Sequence, residues 1–263
     1  MKKLMISAVM VAIATAGFAQ DALKQAKSLV EEGKLNEAAE AAKPAFTTGE
    51  TADRAAAYNE FSKMCWDYYV KNQGIKTENE VKKTDTPYDQ DGMNRAVSMS
   101  YEAALECDKI ESQPNEKGKV KIKFRGDNAK QWMAARVNLI NSGQYWYNHK
   151  NMEQAVKDWK HYVDGADQSL FTGMDMTQDP YKSEICYYIG LASYNMKNYD
   201  EAKKYAKLAA QDPKKVDDAN EIILFATKDA CKTKEDSVQY LAVIKDLHKQ
   251  KPDEKRYFNL LMD

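Results

Sequence analysis

Beyond residue 20, apolar residues recur at spacings of three and four along most of the chain, and short polar turns separate the stripes. Ala22, Leu23, Ala26, Leu29 and Val30 line a first predicted helix. Gly33 to Ala38 turn the chain into a second, within a unit spanning Asp21 to Phe46. Pro44 sits late in that second helix and is expected to kink it or end it early. A long helix is predicted over 53–71, with Ala57, Phe61, Met64, Cys65, Tyr68 and Tyr69 as its stripe. Its expected partner spans 92–108, where Met93, Val97, Ser100, Ala104 and Cys107 alternate steps of four and three. A polar loop over 72–91 is expected between them.

Residues 111–127 break the pattern. Lys119 to Arg125 alternate basic and apolar residues with a period of two. The segment reads as an extended linker, its apolar side packed down and its lysines in water. The alternative is a basic edge that meets an acidic partner or a lipid surface. Helical spacing resumes with Leu139, Ser142, Gly143 and Trp146, then Ala155 and Trp159 after the turn at His149 to Asn151. An irregular insert covers 164–182, and helices are expected over 219–231 and 235–249, with a short closing helix over 256–262.

The stretch 183–213 carries the plainest pattern. Cys186, Ile189, Gly190 and Ser193 on one helix are followed by Ala202 and Ala206 on the next, and Pro213 closes the unit. It resembles a tetratricopeptide repeat, a pair of antiparallel helices of about 34 residues. Gly190 and Ala202 fall where two backbones must approach closely and a bulky side chain cannot fit. The 139–159 stretch matches second best, 21–46 fairly, and the remaining pairs weakly. The resemblance implies an all-α fold, a right-handed α-solenoid of antiparallel helix pairs with irregular inserts. The expected organisation is helix pairs over 20–110, a linker over 111–127 and further pairs over 128–263.

What the resemblance implies for function is a protein-binding scaffold with a concave groove lined by the first helix of each pair. Carried onto this chain, the groove presents Ile140, Gln144, Tyr147 and Asn148 from one repeat, and Tyr187, Leu191, Tyr194 and Asn195 from the next. Tyrosine gives contact area at low entropic cost, and an amide can bond backbone. The competing expectation is that Tyr187 and Tyr194 only pack between helices. One subclass of these repeats grips C-terminal carboxylates with Lys, Asn and Arg; Ile140 and Gln144 stand in the equivalent slots, so that activity is not expected. An envelope protein binding glycan or lipid through the same rings is the alternative reading.

Chemistry beyond binding finds little support. The three histidines fall in different elements at no ligand spacing, and no hydrolase, metalloprotease or nucleotide-binding signature occurs. No cofactor is expected. Asp85, Asp89 and Asp91 near Gly92 suggest a calcium loop, but in that register Pro87 takes the first ligand slot and Ser98 replaces the closing Glu. Cys65, Cys107, Cys186 and Cys231 lie inside predicted helices at wide spacing, which reads as buried free thiols; if a bridge forms, Cys65–Cys107 is the first pair to consider.

Met1 to Lys3 make a basic start, Leu4 to Ala16 an apolar run of 13 residues, and Gly17 to Ala19 a small-residue cleavage site. This reads as a secretory signal peptide over 1–19. The run is shorter than the roughly 20 residues that span a bilayer, and no later stretch is apolar enough to do so. A soluble periplasmic or secreted protein is expected. Without Lys2 and Lys3, the 39 basic residues fall to 37 against 40 acidic ones, a balance of −3 too near neutral to imply a nucleic-acid partner. The exported protein is therefore expected to begin at or within a few residues of Gln20. Intact-mass measurement checks this, and retention of residues 1–19 would refute it.

Overall fold

A computed structural model describes residues 2–262, with side-chain surroundings described from Gly17 onward; the side chains of the apolar run over 4–16, on which the expected signal peptide rests, lie outside that range. The fold is all-helical, with no strand among the described residues. The helices are α1 (Lys2–Glu31), α2 (Leu35–Thr47), α3 (Thr51–Lys82), α4 (Gln90–Glu111), α5 (Arg125–Ala135) and α6 (Val137–Asn148). They continue with α7 (Met152–Gly165), α8 (Lys182–Asn195), α9 (Tyr199–Ala209), α10 (Val216–Ala230), α11 (Lys234–Gln250) and α12 (Lys255–Met262). Helices pack against their neighbours in sequence: α1 on α2, α3 on α4, α8 on α9, α10 on α9 and α11, and α12 on α11. This is the packing of a tetratricopeptide-like helical array. No helix of the described residues is long and apolar enough to cross a membrane. The chain forms two compact units, Met1–Ser142 with Asp167–Met174, and Gly143–Ala166 with Asp175–Asp263.

In the first unit, α1 and α2 bury small residues against each other: Ala22, Ala26 and Val30 from one, Leu35, Ala38, Ala42 and Ala45 from the other. Pro44 does not end α2 as expected; the helix runs on to Thr47. A proline removes one helical hydrogen bond, and here only one turn remains beyond it. That turn is tied back by Thr47 Oγ1 donating to Lys43 O at 2.9 Å and Thr48 Oγ1 to Pro44 O at 2.6 Å.

α3 also outruns its expected end and carries most of the predicted 72–91 loop in helical form, to Lys82. Its last turns are exposed and have no apolar stripe, but residues such as Lys76, Glu78, Glu80 and Lys82 are good helix formers. The helix ends where Lys83 turns left-handed, at φ 56°, and Asn79 ties the chain beyond it: its side chain accepts from the Thr86 N–H and donates to Thr86 O, at 2.9 and 2.8 Å. α3 and α4 approach closely at Ser62 and Ser100, each hydroxyl donating to the other residue's carbonyl at 2.8 Å. Asp89, one of the three aspartates of the rejected calcium loop, caps α4 by accepting from Gly92 N–H at 2.9 Å and takes the Tyr68 hydroxyl at 2.6 Å.

The non-helical stretch after α4 is held at its far end by two buried carboxylates. Glu111, 3% exposed, accepts the N–H groups of Lys123, Phe124 and Arg125 at 2.7, 2.9 and 2.8 Å. Asp108, 1% exposed, takes Arg125 Nε and the Ser169 hydroxyl, both at 2.5 Å. The expectation that Val120 and Ile122 pack down fails: they are 51% and 47% exposed. The carboxylate anchors fix the segment by its backbone, so its side chains are not required to make a core.

The second unit repeats one turn seen in the first. Gly33, Lys150 and Lys197 adopt positive φ, at 78°, 60° and 62°. Each N–H bonds a carbonyl three residues back, and the next N–H bonds one five back: Lys34 to Leu29, Asn151 to Trp146 and Asn198 to Ser193, at 2.8, 2.9 and 2.8 Å. This is a Schellman-type helix end, in which a left-handed residue redirects the chain into the next helix. Its recurrence after α1, α6 and α8 marks three equivalent repeats.

Close approach follows each of the last two turns. A Cβ on Gly143 would stand 2.3 Å from Trp159 Nε1, so α6 accepts the buried indole of α7 only because that position has no side chain. A Cβ on Gly190 would lie 3.3 Å from both Ala202 O and Ala206 N. Ala202, Tyr205, Ala206 and Ala209 are fully buried. The chain closes with Leu224, Ile244, Leu247 and Tyr257, packed between α10, α11 and α12. All four cysteines are free; Cys65, Cys107 and Cys186 are buried and Cys231 is partly so. Burial pushes the Cys107 and Cys186 thiols up to about 12, so they stay protonated.

Two substitutions in the second unit should move stability in opposite directions. Gly143→Ala forces an atom into the Trp159 ring and should cost about 1–3 kcal/mol. Lys197→Gly relieves a left-handed non-glycine residue and should add roughly 1 kcal/mol. Denaturant melts check both, and a stabilising Gly143→Ala would refute the close contact between α6 and the Trp159 ring.

Candidate functional site

The predicted groove residues lie on α6 and α8, and none of them is fully buried. Gln144, Asn148 and Asn195 are exposed; Ile140, Tyr147, Tyr187, Leu191 and Tyr194 are half-buried. Ile140 falls within the first unit and the other seven within the second. On α8, Tyr187, Leu191, Tyr194 and Asn195 recur at steps of four, three and one, so they share one side of the helix. The opposite side carries Cys186, Ile189, Gly190 and Ser193, all buried against neighbouring helices.

Two polar tips are already engaged within the unit. Gln144 Nε2 donates to Asn148 Oδ1 at 3.0 Å, an i to i+4 pair along α6. The Tyr194 hydroxyl donates to Asp229 Oδ2 at 2.7 Å, which fixes its ring against α10. That bond holds the Tyr194 phenol above its usual range, and burial does the same for Tyr187. Both are neutral hydroxyls near neutral pH; the Tyr194 proton is committed to Asp229, so toward a partner that oxygen can only accept.

The rings form a connected row. Tyr147 lies 5.6 Å from Trp159, Trp159 lies 5.8 Å from Tyr188, and Tyr188 lies 5.6 Å from Tyr187. Further along α8, Tyr194 lies 6.5 Å from Phe225 of α10. Two cations border the row. The Lys215 ammonium sits 5.3 Å from the Tyr187 ring centre, and the Arg256 guanidinium 5.4 Å from that of Phe225. Arg256 Nη1 also bonds Glu221 Oε1 at 2.5 Å.

Lys215, Phe225, Asp229 and Arg256 were not among the predicted residues. They come from α10, its preceding turn and α12, where the repeat pattern is weakest. Phe225 stands where the repeat pattern expects a small residue, and it is 37% exposed. A large aromatic in a small-residue slot was the signal available in the sequence. The resulting surface can stack, accept and donate; it contains no convergent acid, base and nucleophile. Among the described residues, no group of three His, Cys, Asp or Glu side chains could hold a metal ion.

Neither a curated protein nor a solved structure matches the chain. Residues 183–217, which carry α8, α9 and the turn into α10, match the family described as the Fis1 C-terminal tetratricopeptide repeat.

Proposed function

We propose that this chain is a non-catalytic scaffold of the cell envelope that holds a protein or peptide partner along a concave groove centred on α8. The observation that carries this reading is the half-exposed row of Tyr187, Leu191 and Tyr194, continued by Phe225, on the segment that matches a tetratricopeptide repeat. Repeats of this class suggest protein partners and are generally non-catalytic. Rings with polar tips can cover a partner's apolar side chains while bonding its backbone, which is how few residues come to dominate an interface. Gln144, Asn148 and Asn195 extend the surface with amides. The predicted leader supports an envelope location, periplasmic or secreted.

A photo-crosslinking residue in place of Asn195, exposed on the same side of α8, in the protein expressed with its leader, is expected to trap one stoichiometric protein in an envelope extract. A glycan or lipid adduct would support the alternative reading instead, and no adduct at all would count against the site. Tyr187→Ala with Tyr194→Ala should abolish that capture while costing each ring about 1 kcal/mol of stability, the ordinary range for a partly exposed site. Tyr205→Ala, at a fully buried ring, should cost about 3–5 kcal/mol. If the double variant proves as unstable as Tyr205→Ala, and its folded fraction still captures the partner, the groove assignment is wrong.

A further inference from the structure

The period-two segment Lys119–Lys123 belongs to no helix and no sheet. Its first end is set by Asn115, whose side chain accepts the N–H groups of Lys117 and Lys119, both at 3.0 Å, while the Lys119 carbonyl accepts Asn115 N–H at 2.9 Å. Its other end is set by Glu111, which accepts the N–H groups of Lys123 and Phe124. Between these anchors the backbone groups of Val120, Lys121 and Ile122 take no partner among the described residues. The chain has already lost most of its freedom there, so pairing it with another strand costs little further ordering.

Two features define what would pair. Val120 and Ile122 alternate with Lys119, Lys121 and Lys123, so an incoming strand meets lysines on one side and apolar side chains on the other. The lysines carry unneutralised charge. Glu116 accepts from Thr51 N–H and Oγ1 at 2.7 and 2.9 Å, and three amides surround Glu111. A hollow of about 310 Å³ opens beside Lys121 and Lys123, floored by Ala52, Ala55 and Ala56 of α3 and also bordered by Asp53, whose carboxylate takes the Glu50 N–H at 3.2 Å. Carboxylate side chains can enter it with their stems on alanine.

We infer that Lys119–Lys123 is a docking strand that adds to an extended, acidic peptide segment in which Glu or Asp alternates with aliphatic residues. Main-chain hydrogen bonds supply the binding, and the alternation of charge and apolar side chains supplies the choice of partner. A lipid surface would satisfy the lysines but offers no row of donors and acceptors spaced to match the free amides and carbonyls, so the strand partner is the better fit. Lysines on an unpaired edge also discourage pairing between copies of this chain, which carry the same charge. This surface belongs to the first unit, and its test does not depend on the aromatic row.

The test uses the full-length protein and a blocked, labelled peptide in which Glu alternates with Val or Ile. Fluorescence anisotropy should show binding, and hydrogen exchange should slow at residues 120–122. Lys119→Glu with Lys121→Glu should weaken binding by at least about tenfold, as removal of complementary charge does. Val120→Pro deletes one free N–H and keeps every lysine; it should also weaken binding about tenfold. Absence of peptide binding would overturn the proposal. So would full binding by the Val120→Pro variant, which would reduce the contact to unspecific charge. Binding to phosphatidylglycerol vesicles without peptide binding would assign the segment to a lipid surface instead.

Discussion

Two helix backbones can come close only where a side chain is withheld, and the paired architecture depends on that constraint. It is met differently in each place. α6 leaves Gly143 bare so that the Trp159 indole can lie against it. α8 and α9 use Gly190 with Ala202 and Ala206. α3 and α4 use Ser62 and Ser100, which are small enough to approach and polar enough to bond each other's carbonyls. Once those crossings are set, the rest follows by geometry. One side of α8 is committed to packing, and Tyr187, Leu191 and Tyr194 are turned to the other.

Much of this was legible in the sequence, because close packing leaves a compositional trace. The small residues at 143, 190, 202 and 206 announced the crossings, and the turns at Gly33, Lys150 and Lys197 announced the repeat boundaries. The reversal was visible even where lysine occupies the left-handed position, because the flanking polar residues and restarting stripe remained. What failed has one physical cause. Periodicity reports a face that meets a core, and several elements here have no such face. The last turns of α3 are solvated on every side, so their helicity was read as loop. α2 continues through Pro44 on side-chain bonds made by two threonines, which no apolar pattern records.

The segment after α4 shows the same limit more sharply. Its alternation was legible, yet the direction of its apolar side was not. Asp108 and Glu111 decide its course, and their partners lie between 12 and 61 residues away in sequence. A buried carboxylate is tolerated only when its lone pairs are filled, and here the filling groups are backbone amides, a guanidinium and a hydroxyl. Nothing in local spacing reveals such an arrangement. The candidate face on α8 divides likewise: its tyrosines follow from repeat register, whereas Asp229 reaches it only because α10 packs on α8, and Arg256 only because it reaches Phe225 and Glu221 of α10.

The bond between Thr51 and Glu116 joins residues 65 apart, while most helix contacts join residues close in sequence. Closing a long loop costs chain entropy before any contact rewards it, whereas adjacent helices can zip together locally and fast. The order of assembly is therefore written into the topology. Helix pairs form first, each on its own, and the carboxylate of Glu116 reaches the first turn of α3 only after α3 and α4 already lie side by side. With α3 and α4 paired, only residues 112–115 separate the end of α4 from that clasp, so a bond that spans 65 residues in sequence closes a loop of a few.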